Sequence, residues 1–468
     1  MKKKFKGMLL LIATLLPTVM FGQSGDFTCT ANGVTWKCWT NGSTATIKGE
    51  VLGATSFTGE LNIPTTVNDG TNNYPVQSID GAFINYTGIT KLTIPEGIRF
   101  ITRGAFYNCT GLSGELVLPS SIVQLYGGGP GGGVFSNCTN LEAVKIINTN
   151  SATFVQPFSN CDNLRYIDLK SSNGGAAPYG KWSRIMGFTP YEKVANHTLV
   201  YLSDGMGSLC DLNEENIIHK DKCKVFKVYD AYSYRIPYAF TAETAQCDRV
   251  FSNTSGKSVS TLFLPYPTDL PNGMQAYELV KKDLSIGTSK AFYFRALPTG
   301  TRLEANKPYL VRITDGTAHT LPVMTNVEVP VSPAGYTTET LATDDGDWAF
   351  CGTTERIDSA AATAKKAYYL SGNKWYPVQN GIANDYIAPF RCFVYSKSGT
   401  APAKGFTMVF DNESGTTDIR QLENDTETDL KSNMHRIYTL DGRYVGTDYN
   451  ALPGGEMYII NGKKFYKF

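Results

Sequence analysis

The phrase Phe-x-Asn-Cys-x-x-Leu recurs three times, as Phe106 to Leu112, Phe135 to Leu141 and Phe158 to Leu164, with a weaker copy over Phe83-Ile84-Asn85-Tyr86-Thr87-Gly88-Ile89. A phrase returning at a near-constant period marks a stacked solenoid, because each unit can bury its apolar edge only against its neighbours. The phenylalanines stand 23, 29 and 23 residues apart. The longer interval holds the run Gly127-Gly128-Gly129-Pro130-Gly131-Gly132-Gly133, so its six extra residues are expected to loop out without disturbing the stack. Function is then expected on a surface rather than in an enclosed pocket.

Each repeat contributes a short apolar strand: Leu61-Asn62-Ile63-Pro64, Leu92-Thr93-Ile94-Pro95, Leu116-Val117-Leu118-Pro119, Val144-Lys145-Ile146 and Ile167-Asp168-Leu169. Proline at a strand exit ends the ladder without removing an internal donor. Alternation with period two turns Leu92 and Ile94 inward and Lys91 and Thr93 outward. The same register predicts an outward row of Glu60, Asn62, Lys91, Thr93, Glu115, Val117, Ala143, Lys145, Tyr166 and Asp168, presented as a grid by parallel strands about 4.8 Å apart. These are the candidate binding residues.

Around the repeats the chain divides by composition. At 468 residues it is too long for one core, and size alone suggests about three domains. Residues 1–22 read as a secretory signal, with Lys2, Lys3, Lys4 and Lys6 before the apolar run Met8 to Leu16 and a plausible cleavage point at Gly22-Gln23. Residues 27–50 alternate as strands, with a hairpin across Asn32-Gly33, and 23–56 is expected to cap the exposed end of the solenoid. The repeats occupy 57–170 and a closing cap 171–221, in which Asn196 to Leu202 is the closing strand. Residues 222–412 carry strands at roughly ten-residue spacing, such as Ala291-Phe292-Tyr293-Phe294 and Phe393-Val394-Tyr395, and predict an antiparallel β-sandwich. An acidic, polar linker (413–433) precedes a small β domain over 434–468 with hairpin turns at Asp441-Gly442 and Asn461-Gly462. The fold class is mainly β: a short leucine-rich solenoid, a sandwich and a small C-terminal β domain.

Here the residues resemble a known family. Leu-x-Ile-Pro, then Gly81-Ala82-Phe83 or Gly104-Ala105-Phe106, then Asn-Cys-x-x-Leu is similar to the BspA-like leucine-rich repeats of surface proteins from Gram-negative anaerobes; the third repeat has Gly133-Val134-Phe135 instead. The resemblance implies an adhesin-like or host-interaction protein. The tail, with Leu452-Pro453-Gly454-Gly455-Glu456-Met457-Tyr458-Ile459 and Asn461-Gly462-Lys463-Lys464, resembles the C-terminal sorting domain of type IX secretion cargo, which implies passage across the outer membrane and cleavage or anchoring there. Leu303 to Leu310 and Ile387 to Arg391 resemble all-β modules of the same anaerobes, and Asp358-Ser359-Ala360 resembles their O-glycosylation site.

Composition narrows the partners. The chain has 43 Lys and Arg against 42 Asp and Glu, a net charge of +1, so it offers no electrostatic footprint for nucleic acid. No later segment approaches about 20 uninterrupted apolar residues, so no transmembrane helix is expected. Four histidines, His197, His219, His319 and His435, never pair at metal-ligand spacing, and no His-Glu-x-x-His, Gly-x-Ser-x-Gly or Cys-x-x-Cys occurs. Asp344-Asp345-Gly346-Asp347 lacks the spacing of an EF-hand loop, and the glycine run lacks the lysine of a phosphate cradle. No catalytic residue, metal or cofactor is expected. Trp36, Trp39, Trp182, Trp348 and Trp375 read as core anchors or as a sugar-stacking platform.

Ten cysteines in an exported chain raise the possibility of disulfides. Cys109, Cys138 and Cys161 hold one place in successive repeats and are expected as a buried column of thiols. Cys29 and Cys38 flank a short hairpin, Cys210 and Cys223 are near each other, and Cys351 and Cys392 bracket one β segment; their pairing stays open, as does the oligomeric state. Three functional readings result: an exported surface protein binding an extracellular protein or glycan through the repeat face, a structural spacer displaying other modules, and a carbohydrate-active or peptidase enzyme in the sandwich.

Overall fold

The computed structural model describes residues 24–467, apart from 52, 54–55, 128–131, 148–152, 156, 173–193, 209, 254–257, 287–288, 334–339, 342–346, 372–373, 383–384, 399–406, 412–436, 440–443, 447–450, 454–455 and 461–462. The signal segment, the polar linker, Trp182 and most of the Asp344–Asp347 turn lie outside the described residues. The chain forms two compact units, one of residues up to Asp248 plus Val323–Ser332 and one of Arg249–Pro322 plus Pro333 onward.

The first unit is the solenoid. One of its sheets runs, neighbour to neighbour, through Gly25–Ala31, Val34–Thr40, Ala45–Glu50, Asn73–Asp80, Phe100–Thr102, Gln124–Tyr126 and Thr153–Val155. Its first two strands are the hairpin read from Asn32-Gly33, where both turn residues take positive φ, 52° and 76°, as the tight right-twisting turn requires. The rungs from Asn73–Asp80 onward pair in parallel, with Ser78, Phe100, Gln124 and Thr153 in one row.

The opposing face is built from the Leu-x-Ile-Pro strands. Gly59–Asn62 pairs in parallel with Ile89–Thr93, placing Leu61 beside Leu92. Gly114–Leu118, Leu141–Ile146 and Tyr166–Leu169 continue with Leu116, Val144 and Ile167 in register. Between the two faces, Leu61, Leu92, Leu116, Val144 and Ile167 meet Ile79, Ile101 and Leu125 in one apolar cluster, each of them at most 7% exposed. Burial of this kind stabilises at about 25 cal/mol per Å² of apolar surface and drives the stacking.

The repeated phrase builds the third side. Phe83, Phe106, Phe135 and Phe158 stack ring on ring at 5.2, 5.2 and 5.6 Å with interplanar angles of 13°, 1° and 12°. Trp36 of the hairpin closes the stack edge-on against Phe83 at 6.2 Å. Each thiol of the column donates to the phenylalanine carbonyl of the repeat before it: Cys109 to Phe83, Cys138 to Phe106 and Cys161 to Phe135, at 3.2–3.3 Å. Burial pushes these thiols up, Cys138 to about 12. The asparagine is explained by its backbone: Asn85, Asn108, Asn137 and Asn160 all take φ of 58–65°, the left-handed region that asparagine tolerates better than other side-chain-bearing residues. Their amides form a ladder, Asn108 Nδ2 to Asn85 Oδ1 and Asn160 Nδ2 to Asn137 Oδ1, both 2.9 Å, with Asn137 Nδ2 on Tyr107 Oη between them.

The Leu199–Leu202 strand does not close the solenoid. It pairs in parallel with Tyr166–Leu169 on one side and Ile217–His219 on the other, and the sheet runs on through Lys222–Val228, Phe240–Cys247 and Met324–Val329. The first unit thus passes the expected boundary at 221. The last strand arrives from about 80 residues downstream and pairs antiparallel with Phe240–Cys247. No local pattern encodes a contact between segments that far apart in the chain.

The second unit contains the sandwich. One sheet orders Val259–Leu262, Tyr309–Ile313, Met274–Ile286, Ser289–Ala296 and Thr407–Asp411; the other orders Thr340–Leu341, Trp348–Thr353, Arg391–Ser396, Tyr368–Ser371 and Lys374–Pro377. Phe292, Phe294, Leu310 and Tyr277 of the first pack against Trp348, Phe350, Trp375 and Val394 of the second. Among the described residues the pairings are antiparallel except Ser289–Ala296 with Thr407–Asp411, which is parallel. The short helix Ser359–Ala364 covers the outer face of the second sheet, started by Asp358, whose carboxylate accepts from the Ala361 N–H at 2.8 Å. The tail forms a four-stranded sheet ordered Tyr444–Gly446, Ile437–Thr439, Glu456–Ile460 and Lys463–Lys467, with Ile437, Leu452 and Tyr458 buried together.

Candidate binding face

On the outward side of the Leu-x-Ile-Pro strands, alternation with the buried leucines aims the polar residues at solvent. Glu60, Asn62, Lys91, Thr93, Glu115 and Val117 are exposed, Val117 at 44%. The register sets Glu60 beside Lys91 and Asn62 beside Thr93, and the Lys91 ammonium lies 3.4 Å from the Glu60 carboxylate. With both side chains more than half exposed, that ion pair contributes about 0–1 kcal/mol and leaves both groups in contact with solvent. Farther along, Val117, Lys145 and Asp168 fall in one row and Glu115, Ala143 and Tyr166 in the next.

The grid is open only over its first strands. Lys145 is half-buried, Ala143 is fully buried, and Tyr166 and Asp168 are 7% and 3% exposed. The cover is the segment 229–239, which joins the parallel strands Lys222–Val228 and Phe240–Cys247 and crosses the outward side of the sheet. Its Tyr238 hydroxyl donates to Asp168 Oδ2 at 2.8 Å, and the Tyr238 carbonyl accepts from the Tyr201 hydroxyl at 3.3 Å. Arg235 reaches Glu142 at 3.7 Å, and Lys145 reaches Asp168 at 3.7 Å. Tyr234 anchors the strap from within, wholly buried, donating to the Lys227 carbonyl at 2.8 Å and accepting from the Tyr229 N–H at 3.1 Å. Tyr166 and Asp168 lie outside the apolar cluster of the solenoid and belong to the floor under the strap. Tyr166 donates to Glu115 at 3.0 Å, joining that floor to the open part of the face.

Electrostatics follows the covering. Burial, then the hydrogen bonds to Glu115 and Asp168, holds the phenols of Tyr166 and Tyr238 above their ordinary range, Tyr238 at about 12. The face thus ends in a wall of tyrosine and arginine standing over the strand rows. The strap had a sequence signal that period analysis does not collect: Tyr229, Tyr232, Tyr234 and Tyr238 crowd into ten residues without strand alternation.

Chemistry elsewhere is sparse. Among the described residues no three His, Cys, Asp or Glu side chains come together to hold a metal ion, and no helix is long and apolar enough to cross a membrane. His197 is buried and stacks on Tyr232 at 3.9 Å, His219 Nε2 lies 3.1 Å from the Asp204 carbonyl, and His319 Nε2 lies 2.9 Å from Asp315. His435 lies outside the described residues. Asp347 is tied into its own sheet, accepting from Ser396 Oγ at 3.0 Å and from the Ser398 N–H at 2.8 Å. Trp36, Trp348 and Trp375 are at most 5% exposed and act as core anchors.

Among known protein families, the repeats find a match. Residues 77–175, 99 of the 468, match the BspA type leucine rich repeat region in six copies. Two solved structures are similar: a leucine rich cell surface protein from Faecalibacterium prausnitzii, at 14% identity, covering 44% of this chain and 72% of that one with a TM-score of 0.17, and a leucine-rich repeat protein from Bacteroides ovatus, at 12% identity, covering 44% and 83% with a TM-score of 0.15. No curated protein matches the chain.

Proposed function

We propose that the chain is an exported, non-enzymatic cell-surface protein that binds an extracellular protein or glycan through Glu60, Asn62, Lys91, Thr93, Glu115, Val117 and Lys145. The observation that carries this reading is the run of parallel strands whose outward side chains stand in solvent and end against the 229–239 strap. A rigid, pre-ordered grid loses little conformational entropy on binding, so modest polar contacts suffice for affinity. Tyr166 and Asp168 support the site from beneath the strap. The BspA-type match over the repeats supports a place at the cell surface. In this reading residues 1–22 direct export, and 434–468 serve as a type IX-like sorting domain that delivers the chain to the outer surface of a Gram-negative cell.

The test is binding of the mature full-length chain to an array of matrix proteins and mucin glycans, alongside the double reversal Lys91→Glu and Lys145→Glu. Reversal sets like charges beside Glu60 and Asp168 and beside any acidic group of the partner, and a loss of about tenfold or more in affinity is expected. Equal affinity in the variant would remove this face as the site. Absence of any binding by the unaltered chain would favour a spacer role.

A further inference from the structure

The sheet that meets the Leu-x-Ile-Pro strands across the core has an outward side of its own. Its strands alternate about the buried Trp36, Cys38, Ile47, Ile79, Ile101 and Leu125, so the residues between these turn to solvent. The register sets Trp39, Thr46, Ser78, Phe100 and Gln124 side by side in one outward row. Thr102 and Tyr126 stand in the next. Three aromatic rings therefore lie on the outside of the solenoid, apart from its apolar cluster: Tyr126 is 44% exposed, and Trp39 and Phe100 are half-buried. Trp39 and Phe100 are three strand spacings apart, about 14 Å, with only short hydroxyl side chains between them. An apolar strip rimmed by polar groups on an outer surface marks a binding site.

The charge on this side is unbalanced. Asp26 lies 3.9 Å from Lys48 and Asp80 lies 2.9 Å from Arg103, so each carboxylate already has its cation. Lys37, which alternates outward with Trp39, and Arg99, which precedes Phe100, are exposed and have no carboxylate partner among the described residues. The Arg99 guanidinium stands 5.6 Å from the centre of the Phe100 ring and the Lys48 ammonium 6.0 Å from that of Trp39, so positive charge flanks the strip at both rings. The Leu-x-Ile-Pro side differs on both counts: it sets Lys91 against Glu60, and its open strands carry no aromatic ring.

We propose that this second face binds an acidic glycan, with Trp39, Phe100 and Tyr126 packed on the apolar faces of its sugar rings and Lys37 and Arg99 paired with its carboxylate or sulfate groups. Charge complementarity selects the anionic ligand, because the two unmatched cations are what the face has to offer in water. The rings select sugars, whose C–H faces shed water against an aromatic surface. Thr46, Ser78 and Gln124, lying between and beside the rings, supply donors and acceptors for sugar hydroxyls. A single-stranded nucleic acid would stack on the same rings, but it brings a phosphate with every base and needs a cationic groove along its whole length, which two unmatched cations do not make. The site shares no residue with the Leu-x-Ile-Pro face, so either face can fail without the other.

The mature full-length chain is titrated calorimetrically with oligosaccharides of hyaluronan, chondroitin sulfate and polygalacturonate, and with neutral chitin oligosaccharides and oligo-dT as comparators. At least one acidic series is expected to bind, more weakly as salt rises and more tightly than either comparator. The double variant Lys37→Gln and Arg99→Gln should lose about tenfold in affinity and most of the salt dependence. Tyr126→Ala should lose about fivefold to tenfold, while Lys91→Glu with Lys145→Glu leaves this affinity unchanged. Lys37 and Arg99 are exposed, so an unchanged thermal midpoint in their variant separates a lost contact from a lost fold. Binding to none of the acidic series, equal binding of the neutral one, tighter binding of oligo-dT, or wild-type affinity in the Lys37 and Arg99 variant would each overturn the proposal.

Discussion

Replacing Asn137 by alanine tests the reason the repeat carries asparagine at all. The residue sits at φ 62°, accepts from Asn160 Nδ2 at 2.9 Å and donates to Tyr107 Oη at 2.9 Å. Alanine in the left-handed region costs about 1–2 kcal/mol. The two lost hydrogen bonds cost about 0.5–1.5 kcal/mol each. The sum is about 2–5 kcal/mol, which should lower the thermal midpoint of the first unit by roughly 5–15 °C. Glycine at the same position adopts the backbone without strain but loses both hydrogen bonds and adds about 0.5–1 kcal/mol of unfolded-state entropy. It should therefore fall between wild type and alanine, with Asn137→Gly more stable than Asn137→Ala by about 0.5–1 kcal/mol. Tyr107→Phe removes one bond only and should cost about 1 kcal/mol. Urea denaturation followed by far-ultraviolet circular dichroism, with comparable m values across the set, gives the comparison. A glycine variant less stable than the alanine variant would refute the argument that backbone conformation selects the asparagine.

Other expectations concern packing and charge. In Gly111→Ala the new Cβ would stand 2.2 Å from the Thr87 carbonyl oxygen, so the adjacent repeats must separate; a loss of about 2–3 kcal/mol is expected by denaturant melting, and a change within experimental error would show that the coils yield freely. Tyr238→Phe withdraws the hydroxyl from the buried Asp168 carboxylate and should cost about 1–3 kcal/mol, with faster amide exchange in 229–239 as the local readout. The Tyr238 phenol is raised to about 12, so its contribution is complete below pH 10 and disappears as pH climbs through 12; ultraviolet titration should show a tyrosinate signal missing from the ordinary range and restored to it on unfolding. Asp315 is lowered to about 2, first by the hydrogen bond from His319 and then by the Thr317 N–H; its contribution is present above pH 3.8 and lost toward pH 2, and His319→Ala should flatten that acid limb of the stability profile.

The solenoid was legible because its information is local and repeated. A phenylalanine at a 23-residue step, an asparagine that accepts positive φ and a small apolar cysteine state the stacking rule several times over, and parallel coils satisfy all copies at once. The period-two alternation of Leu92 and Ile94 against Lys91 and Thr93 likewise assigned each side chain to a face, because strand geometry leaves only two directions. Strands alternating with turn residues gave the sandwich its class, though not the parallel pairing of Ser289–Ala296 with Thr407–Asp411.

Tertiary structure decided how much of the outward row meets solvent. Whether Asp168 is a ligand-facing carboxylate or the buried acceptor of Tyr238 depends on where 229–239 comes to rest, and the continuation of the sheet depends on Met324–Val329 joining Phe240–Cys247. Both are contacts between distant segments, selected by the apolar area each can bury and the polar groups each can satisfy. The chain's own pattern determined direction at every strand, whereas covering is a property of what packs on top, and that emerges only when the whole fold is assembled.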